Sequence, residues 1–339
     1  MKDFKPWLEA VCRGKRLDRK EAGAAMDILV SGQAQDAQTA AFLGAIESRG
    51  VNREELIGFA QILRQRAVTV AISRESLIDT CGTGGDGLHT FNLSTAAAFV
   101  AAGAGAAVAK HGNRSVSSQC GSADVLEALG VAIEDDPPAV QKSVEEIGFG
   151  FFFAPRFHPA VRHVSAVRRA LGVRTVFNLL GPLINPALVR RQVVGLYDGS
   201  LLETYAEVLL DLGVERAMVV RGEDGMDELT LTGRTFICHA QRQKGVWTEI
   251  ISPEDVNLNR VMPEALRGGT AADNARLLTE VLEGRPGPLL DATLYNAAAA
   301  IMVAGLADSL KDGVALARES IRSGRARKVL EDLRRKRHA

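Results

Sequence analysis

Cysteine is sparse in this 339-residue chain, aromatic side chains are few, and neither sign of charge prevails. The four cysteines, Cys12, Cys81, Cys120 and Cys238, are scattered without a C-x-x-C spacing. That argues against both a disulfide framework and a structural zinc site. Lys plus Arg number 41 and Asp plus Glu also 41, so no global field recruits a nucleic acid or a membrane surface, and any anion must be held by local loops. Aromatics at 5% leave little for stacking platforms that hold single strands. The long alanine-rich run STAAAFVAAGAGAAVA (Ser94 to Ala109) is broken by glycine and poor in leucine. It reads as packed helix and strand, not as a membrane span. The opening MKDFKPWLEAV is charged and amphipathic, unlike a secretory signal, and a soluble cytoplasmic protein is expected.

What is present falls into two parts. Residues 1–72 show helical periodicity throughout, in EAGAAMDILV, TAAFLGAIESRG and REELIGFAQILRQRA, and predict a small all-helical domain. From 73 to 339 strands and helices alternate, which predicts an α/β domain with a central, mostly parallel sheet. The expected strands are LIDTC, AAVAK, GFGFFFA, QVVGLY and AMVVRG, followed by a hairpin around ELTLTG and RTFICHA. The charged C-terminal stretch ARKVLEDLRRKRHA is expected to be a helix end with a solvated face.

Two glycine-rich loops carry the chemical signal. CGTGGDG, Cys81 to Gly87, follows an expected strand and leads into FNLST and a helix. Glycines let backbone N–H groups approach an anion, and a helix start adds its positive dipole end. Asn92, Ser94 and Thr95 stand at that start; one of them could simply be the N-cap, but three together beside a glycine loop favour ligand contact. KHGNRSVSSQCGSAD repeats the arrangement, with Lys110 and Arg114 for charge, Asn113, Ser115, Ser117 and Ser118 as hydrogen-bonding groups, and Ser122 as the expected cap of the next helix. A sugar carrying several phosphates suits such a site.

Read together, GTGGDG, FNLST, KHGNRSVSS…GSAD, the stretch from Phe151 to Ala187, GMDELTLTG and DATLYNAAAAIMVAG resemble the anthranilate phosphoribosyltransferases of tryptophan biosynthesis, in the family's order and over nearly the whole chain. The resemblance implies transfer of the phosphoribosyl group of 5-phosphoribosyl 1-pyrophosphate (PRPP) to the amine of anthranilate. It implies that a segment of about 160–188 packs back on the helical domain. Gly82, Gly85, Asp86, Thr90, Asn92, Ser94, Thr95, Lys110, Asn113, Arg114, Ser115, Ser117, Ser118 and Ser122 would line the PRPP. Arg168 would meet anthranilate with Gly82 and Asn113, and His111 and His158 rank below it. Asp227 and Glu228, with Ser94, would serve magnesium, two ions per subunit, while Glu223 and Asp224 would be ordinary surface charges. No catalytic residue is assigned: an aromatic amine is already uncharged at pH 7 and can attack without first losing a proton, and the sequence points to no dedicated base.

The alternatives are a pyrimidine nucleoside phosphorylase, whose loops are related in style, and a paralogue that binds nucleic acid. The Asp227–Glu228 pair counts against the first, and zero net charge with intact loops against the second. No nucleic-acid or membrane partner is expected. A homodimer is, because the N-terminal helices carry one apolar stripe of Trp7, Leu8 and Val11 and another of Phe42, Leu43 and Ile46, more than a small domain needs for itself.

Overall fold

The computed structural model describes residues 4–115 and 119–336. Four helices come first: α1 (Lys5–Cys12), α2 (Arg19–Val30), α3 (Asp36–Arg49) and α4 (Arg53–Gln65). Local chemistry sets their starts. Asp18 and Glu21 form a reciprocal capping box on α2, and Asn52 and Glu55 form one on α4. The stripe Phe42, Leu43 and Ile46 is fully buried within the chain, with Phe42 packing between Phe4 and Phe59. Val11 is buried as well, while Trp7 and Leu8 stay half-buried.

The remainder alternates as expected: β1 (Leu77–Gly82), α5 (Leu93–Gly103), β2 (Ala107–Gly112), α6 (Ser122–Ala128), α7 (Pro137–Ile147), β3 (Phe149–Phe153), α8 (Ala154–Phe157), α9 (Arg162–Leu171), α10 (Val176–Leu180), β4 (Arg191–Gly195), α11 (Leu202–Asp211), β5 (Arg216–Gly222), β6 (Thr235–Gln241), β7 (Gly245–Ile251), α12 (Ala271–Leu282), α13 (Pro288–Ala304), α14 (Leu310–Arg322) and α15 (Arg325–Lys336). The strands form one sheet in the order β3-β2-β1-β4-β5-β6-β7; the first five are parallel and the last two antiparallel. Connections run one way from β1 to β2 and β3, and the other way to β4 and β5. The strand order therefore reverses between β1 and β4, and in open α/β sheets ligands bind at the carboxyl ends of the strands at such a point.

The alanine-rich α5 and α13 are buried on nearly all sides and pack on each other against one sheet face. A second core joins α1–α4 to Val164, Phe177 and Leu180 of α9 and α10, and on to α11 and the other face of β4 and β5. Arg64 of α4 stitches this junction, donating to the carbonyls of Leu183 (2.6 Å) and Leu212 (2.7 Å). In α15, Val329, Leu330 and Leu333 face the core, and only its other side is solvated.

One strand expectation is corrected. The hairpin is β6 with β7, not ELTLTG with RTFICHA. Residues 229–233 curl instead, because side chains satisfy their backbone. Asn296 of α13 accepts from the Leu229 N–H and donates to its carbonyl, both at 2.9 Å, and the Thr235 hydroxyl takes the Thr230 N–H. Ser122 is also not the cap of α6 but its first residue; Gly121 caps it, where a Cβ would lie 2.5 Å from the Ser115 nitrogen.

Candidate active site at the β1–β4 switch point

Gly82 and Gly195 are register partners at the carboxyl ends of β1 and β4. Across them lies the loop that follows β5, bearing Asp227 and Glu228. A Cβ on Gly82 would fall 2.4 Å from Asp227 Oδ2, and one on Gly195 would fall 1.5 Å from the Asp227 carbonyl oxygen. Two glycines side by side are thus what lets this loop lie across the strand ends. The β1 loop then turns sharply through Gly84, Gly85 and Gly87, at φ of +64°, +77° and +77°. The Gly84 N–H donates to Asp227 Oδ2 (2.7 Å), and the Ser94 N–H at the start of α5 donates to Glu228 Oε1 (3.1 Å).

Three carboxylates, Asp86, Asp227 and Glu228, gather here. Burial pushes the Asp227 carboxyl up to about 7, with the charge of Asp86 adding to it. Burial followed by the charge of Asp227 pushes Glu228 up to about 8. The two titrate as a pair. Asp86 Oδ2 is buried and has no hydrogen-bond partner among the described residues. Crowded, poorly solvated carboxylates with a spare oxygen fit a hard divalent cation, whose charge would relieve their repulsion. Among the described residues no three His, Cys, Asp or Glu side chains enclose an ion unaided. Magnesium suits such a set, because it normally keeps waters and substrate oxygens among its ligands.

Lys110 lies beneath this group, almost wholly buried, its ammonium donating to the Thr80 carbonyl (2.5 Å) and the Ser94 hydroxyl (3.2 Å). Burial lowers its pKa, and Asp79, Cys81 and Glu228 oppose the shift. The expectation that Lys110 lines the PRPP is therefore corrected: its ammonium is committed to Thr80 and Ser94 and acts on the α5 N-terminus from below. Asp79, fully buried, accepts from the His111 N–H and the Asn185 side chain. A cavity of about 10 Å³, room for one water, is lined by Thr80, Ser94, Glu228 and Asn296 among others.

The second loop is folded by Asp124, which accepts from the Ser115 and Gly121 N–H groups, both at 2.9 Å. Arg114 is exposed and already paired with Asp124 and Glu127. Asn113 lends its side-chain oxygen to the Arg114 N–H and its carbonyl to Ala123. Ser122 sits against that carbonyl (3.4 Å). Asn92 ties the two loops, donating to the Cys120 carbonyl (3.1 Å) and accepting from Asn274 (2.8 Å). Thr90 bridges to Arg267, and the buried Thr95 hydroxyl has no partner among the described residues. Ser117 and Ser118 lie outside the described residues.

Arg168, near the end of α9, is half-buried with its guanidinium 5.0 Å from the centre of the Phe177 ring. Burial alone lowers its pKa, and no carboxylate of the described chain pairs with it. A desolvated guanidinium without a counter-ion is a receptor for a carboxylate. His111 and His158 pack ring to ring at 5.1 Å, and burial holds them near 3 and 4, so both are neutral. His111 Nδ1–H donates to the Gly181 carbonyl (3.1 Å), leaving Nε2 unpartnered among the described residues.

This arrangement has close counterparts. Residues 74–327 match the glycosyl transferase family, a/b domain, and residues 5–67 match its helical bundle domain. An anthranilate phosphoribosyltransferase of Symbiobacterium thermophilum is 49% identical over 98% of this chain and 97% of its own. The chain belongs to the anthranilate phosphoribosyltransferase family. Its fold is that of the family's solved structures. The enzyme from Thermus thermophilus has a TM-score of 0.92 at 45% identity, covering 98% of this chain and 99% of that one. The Saccharomyces cerevisiae enzyme in complex with PRPP and Mg has a TM-score of 0.89 at 28% identity, covering 99% and 98%.

Two contributors to the site escaped the sequence reading. Asp224 is not a surface charge. It accepts from the Met226 N–H (3.0 Å) and from the hydroxyls of Thr230 (2.8 Å) and Thr232 (2.6 Å), clamping the loop on both sides of Asp227 and Glu228. Asn296 holds the next residue, Leu229, from below. Its signal was visible: a lone amide opening the apolar run NAAAAIMVA is a buried polar group in need of partners. Glu223, in contrast, is exposed and paired with Arg234, as a surface charge should be.

Proposed function

We propose that this chain transfers the phosphoribosyl group of PRPP to the amine of anthranilate, releasing pyrophosphate, as a step of tryptophan biosynthesis. The observation that carries the reading is the meeting of glycine loop, α5 N-terminus and carboxylate pair at one topological switch point, in a chain of this family.

In this reading the loop residues Gly82, Gly85, Asp86 and Thr90, with Asn92, Ser94 and Thr95 at the start of α5, receive the pyrophosphate and ribose. Lys110 supports them by strengthening the positive potential at that helix start. From the second loop Asn113, Ser115 and Ser122 would line the site, with Ser117 and Ser118 assigned to it by the resemblance alone, and Arg114 would reach the phosphates only by giving up Asp124 and Glu127. Asp227 and Glu228, with Ser94, hold magnesium, and two ions per subunit fit a group of three carboxylates. The metal supplies charge neutralisation for the departing pyrophosphate. Arg168 takes the anthranilate carboxylate, and Gly82 and Asn113 approach the ring, with neutral His111 and His158 as further wall. The amine attacks C1 of the ribose from its uncharged form, so the protein's task is alignment and exclusion of water. Residues 1–72 form the small helical domain, with about 160–188 packed on it, and 73–339 the PRPP-binding domain.

The direct test is anthranilate fluorescence, which should disappear only when PRPP and magnesium are both present. Loss of fluorescence without either, or phosphorolysis of thymidine in its place, would overturn the reading. Arg168→Ala should raise the KM for anthranilate by about 10- to 100-fold, the loss of a charged hydrogen bond, while the KM for PRPP changes little. Equal effects on both would mean that the two subsites are misplaced.

The protein is also proposed to be a homodimer built on the helical domain. Trp7 and Leu8 remain half-buried on α1 beside a fully formed interior, and twofold pairing is the commonest way to cover such a face. Light scattering at micromolar concentration should give about twice the 36.2 kDa chain mass. A fully active monomer would refute this.

A further inference from the structure

The glycine turn is tethered by a residue that no role above requires. Arg174 lies in the connection between α9 and α10, just past the end of the helix that carries Arg168. Its Nη1 donates to the Gly85 carbonyl at 3.0 Å. Its Cδ lies 3.6 Å from where a Gly85 Cβ would be. Its guanidinium stacks 4.6 Å from the centre of the Tyr197 ring. Tyr197 belongs to the loop after β4, and its N–H donates to the Thr83 hydroxyl (3.1 Å), while the Thr83 N–H donates to the Gly195 carbonyl (2.9 Å). Arg174 therefore joins the tip of the β1 loop, the loop after β4 and the α9–α10 segment.

The physical need for such a tether is conformational. Gly84, Gly85 and Gly87 all adopt left-handed φ, and glycines lose more freedom on ordering than any other residue. The root of the turn is fixed through Thr83, and Gly84 through Asp227. The planar guanidinium adds a hold at the tip: one edge donates to a carbonyl while one face rests on an aromatic ring.

We propose that Arg174 is a positioning residue that holds the Gly82–Gly87 loop in its phosphate-receiving shape. The proposal rests on the PRPP reading for its consequence, but its structural half can be tested without substrate. In substrate-free protein, hydrogen exchange at the amides of residues 82–88 should quicken about tenfold in Arg174→Ala, with the melting temperature within about 2 °C of the unaltered chain. In steady-state assays the KM for PRPP should rise about tenfold, with kcat and the KM for anthranilate within about twofold. Arg174→Lys, which keeps the charge but not the planar fork, should recover only part of the PRPP affinity. Unchanged exchange at 82–88 in the Ala variant would overturn the proposal. So would faster exchange with an unaltered KM for PRPP, or full rescue by lysine, which would mark Arg174 as a point charge for the phosphates. If the unaltered chain fails to use PRPP, the reading of function fails, and the exchange experiment still decides whether Arg174 orders the loop.

Discussion

Replacing Asp227 and Glu228 together by Asn and Gln should lower kcat/KM by several kcal/mol of transition-state stabilisation, about a thousandfold or more, the scale of losing a metal contact to a departing anion. Both amides keep an oxygen for the Gly84 and Ser94 N–H groups, so the loop stays anchored. The same variant should be more heat-stable than the unaltered chain at pH 8 without magnesium. Folding raises both carboxyl pKa values, to about 7 and about 8. Between about pH 4, where an unfolded Asp or Glu titrates, and pH 8, the folded chain holds protons that the unfolded chain has released. The stability tied to these groups is therefore full below pH 4 and is lost as pH rises through 7 to 8. The melting-temperature advantage of the variant should shrink towards pH 4, and added magnesium should stabilise the unaltered chain only. A variant that turns over at near the normal rate with saturating magnesium would remove these two residues from the metal site.

Gly195→Ala should be nearly as damaging to activity, although no substrate contact is assigned to Gly195. The added methyl would sit 1.5 Å from the Asp227 carbonyl oxygen and 2.4 Å from its carbonyl carbon. These are backbone atoms, so no rotamer change relieves the clash, and the Asp227–Glu228 loop must lift. Lifting it breaks the Leu229 clamp to Asn296 as well. Overpacking of this kind costs about 1–3 kcal/mol or more, so a lower melting temperature should accompany a weakened response to magnesium. Gly82→Ala should cost less stability, because its nearest obstacle is the Asp227 carboxylate, a side chain that can turn away, but turning it away displaces the proposed metal ligand and should weaken the response to magnesium as well. Normal activity and an unchanged melting temperature in the Gly195→Ala variant would contradict the placement of the Asp227 backbone over β4.

Much of this site was legible before any fold was known. The turn glycines and the hydroxyl-rich start of α5 lie within short motifs whose chemistry is local: a left-handed turn needs glycine, and a helix start offers N–H groups wherever it occurs. Residue types alone did not separate the Asp227–Glu228 pair from a solvated acidic loop; only the resemblance singled it out. The four N-terminal helices and the parallel strands were equally readable from periodicity, because the faces they bury are written at fixed intervals. The ELTLTG stretch misled for the same reason. Its alternating apolar and β-branched residues are a strand pattern, and nothing local reveals that Asn296, 67 residues after Leu229, would satisfy its backbone instead. Asp224 looked like surface charge because its partners, Thr230 and Thr232, come close only once that stretch curls.

The sequence by itself determined the family, the alternation of helices and strands as far as β5, and the residue types that can meet phosphate, metal and carboxylate, but not the β6–β7 hairpin. Tertiary structure alone decided which charges remain free to act. Arg114 is taken up by Asp124 and Glu127, and Lys110 is sealed beneath α5, whereas Arg168 is left desolvated without a counter-ion among the described residues. The physical reason is that the energy of a charge depends on its solvation and on its neighbours in space. Those neighbours are set by which strands pair: only the β1–β4 pairing brings Gly82 to Gly195 and lets Asp227 lie across both.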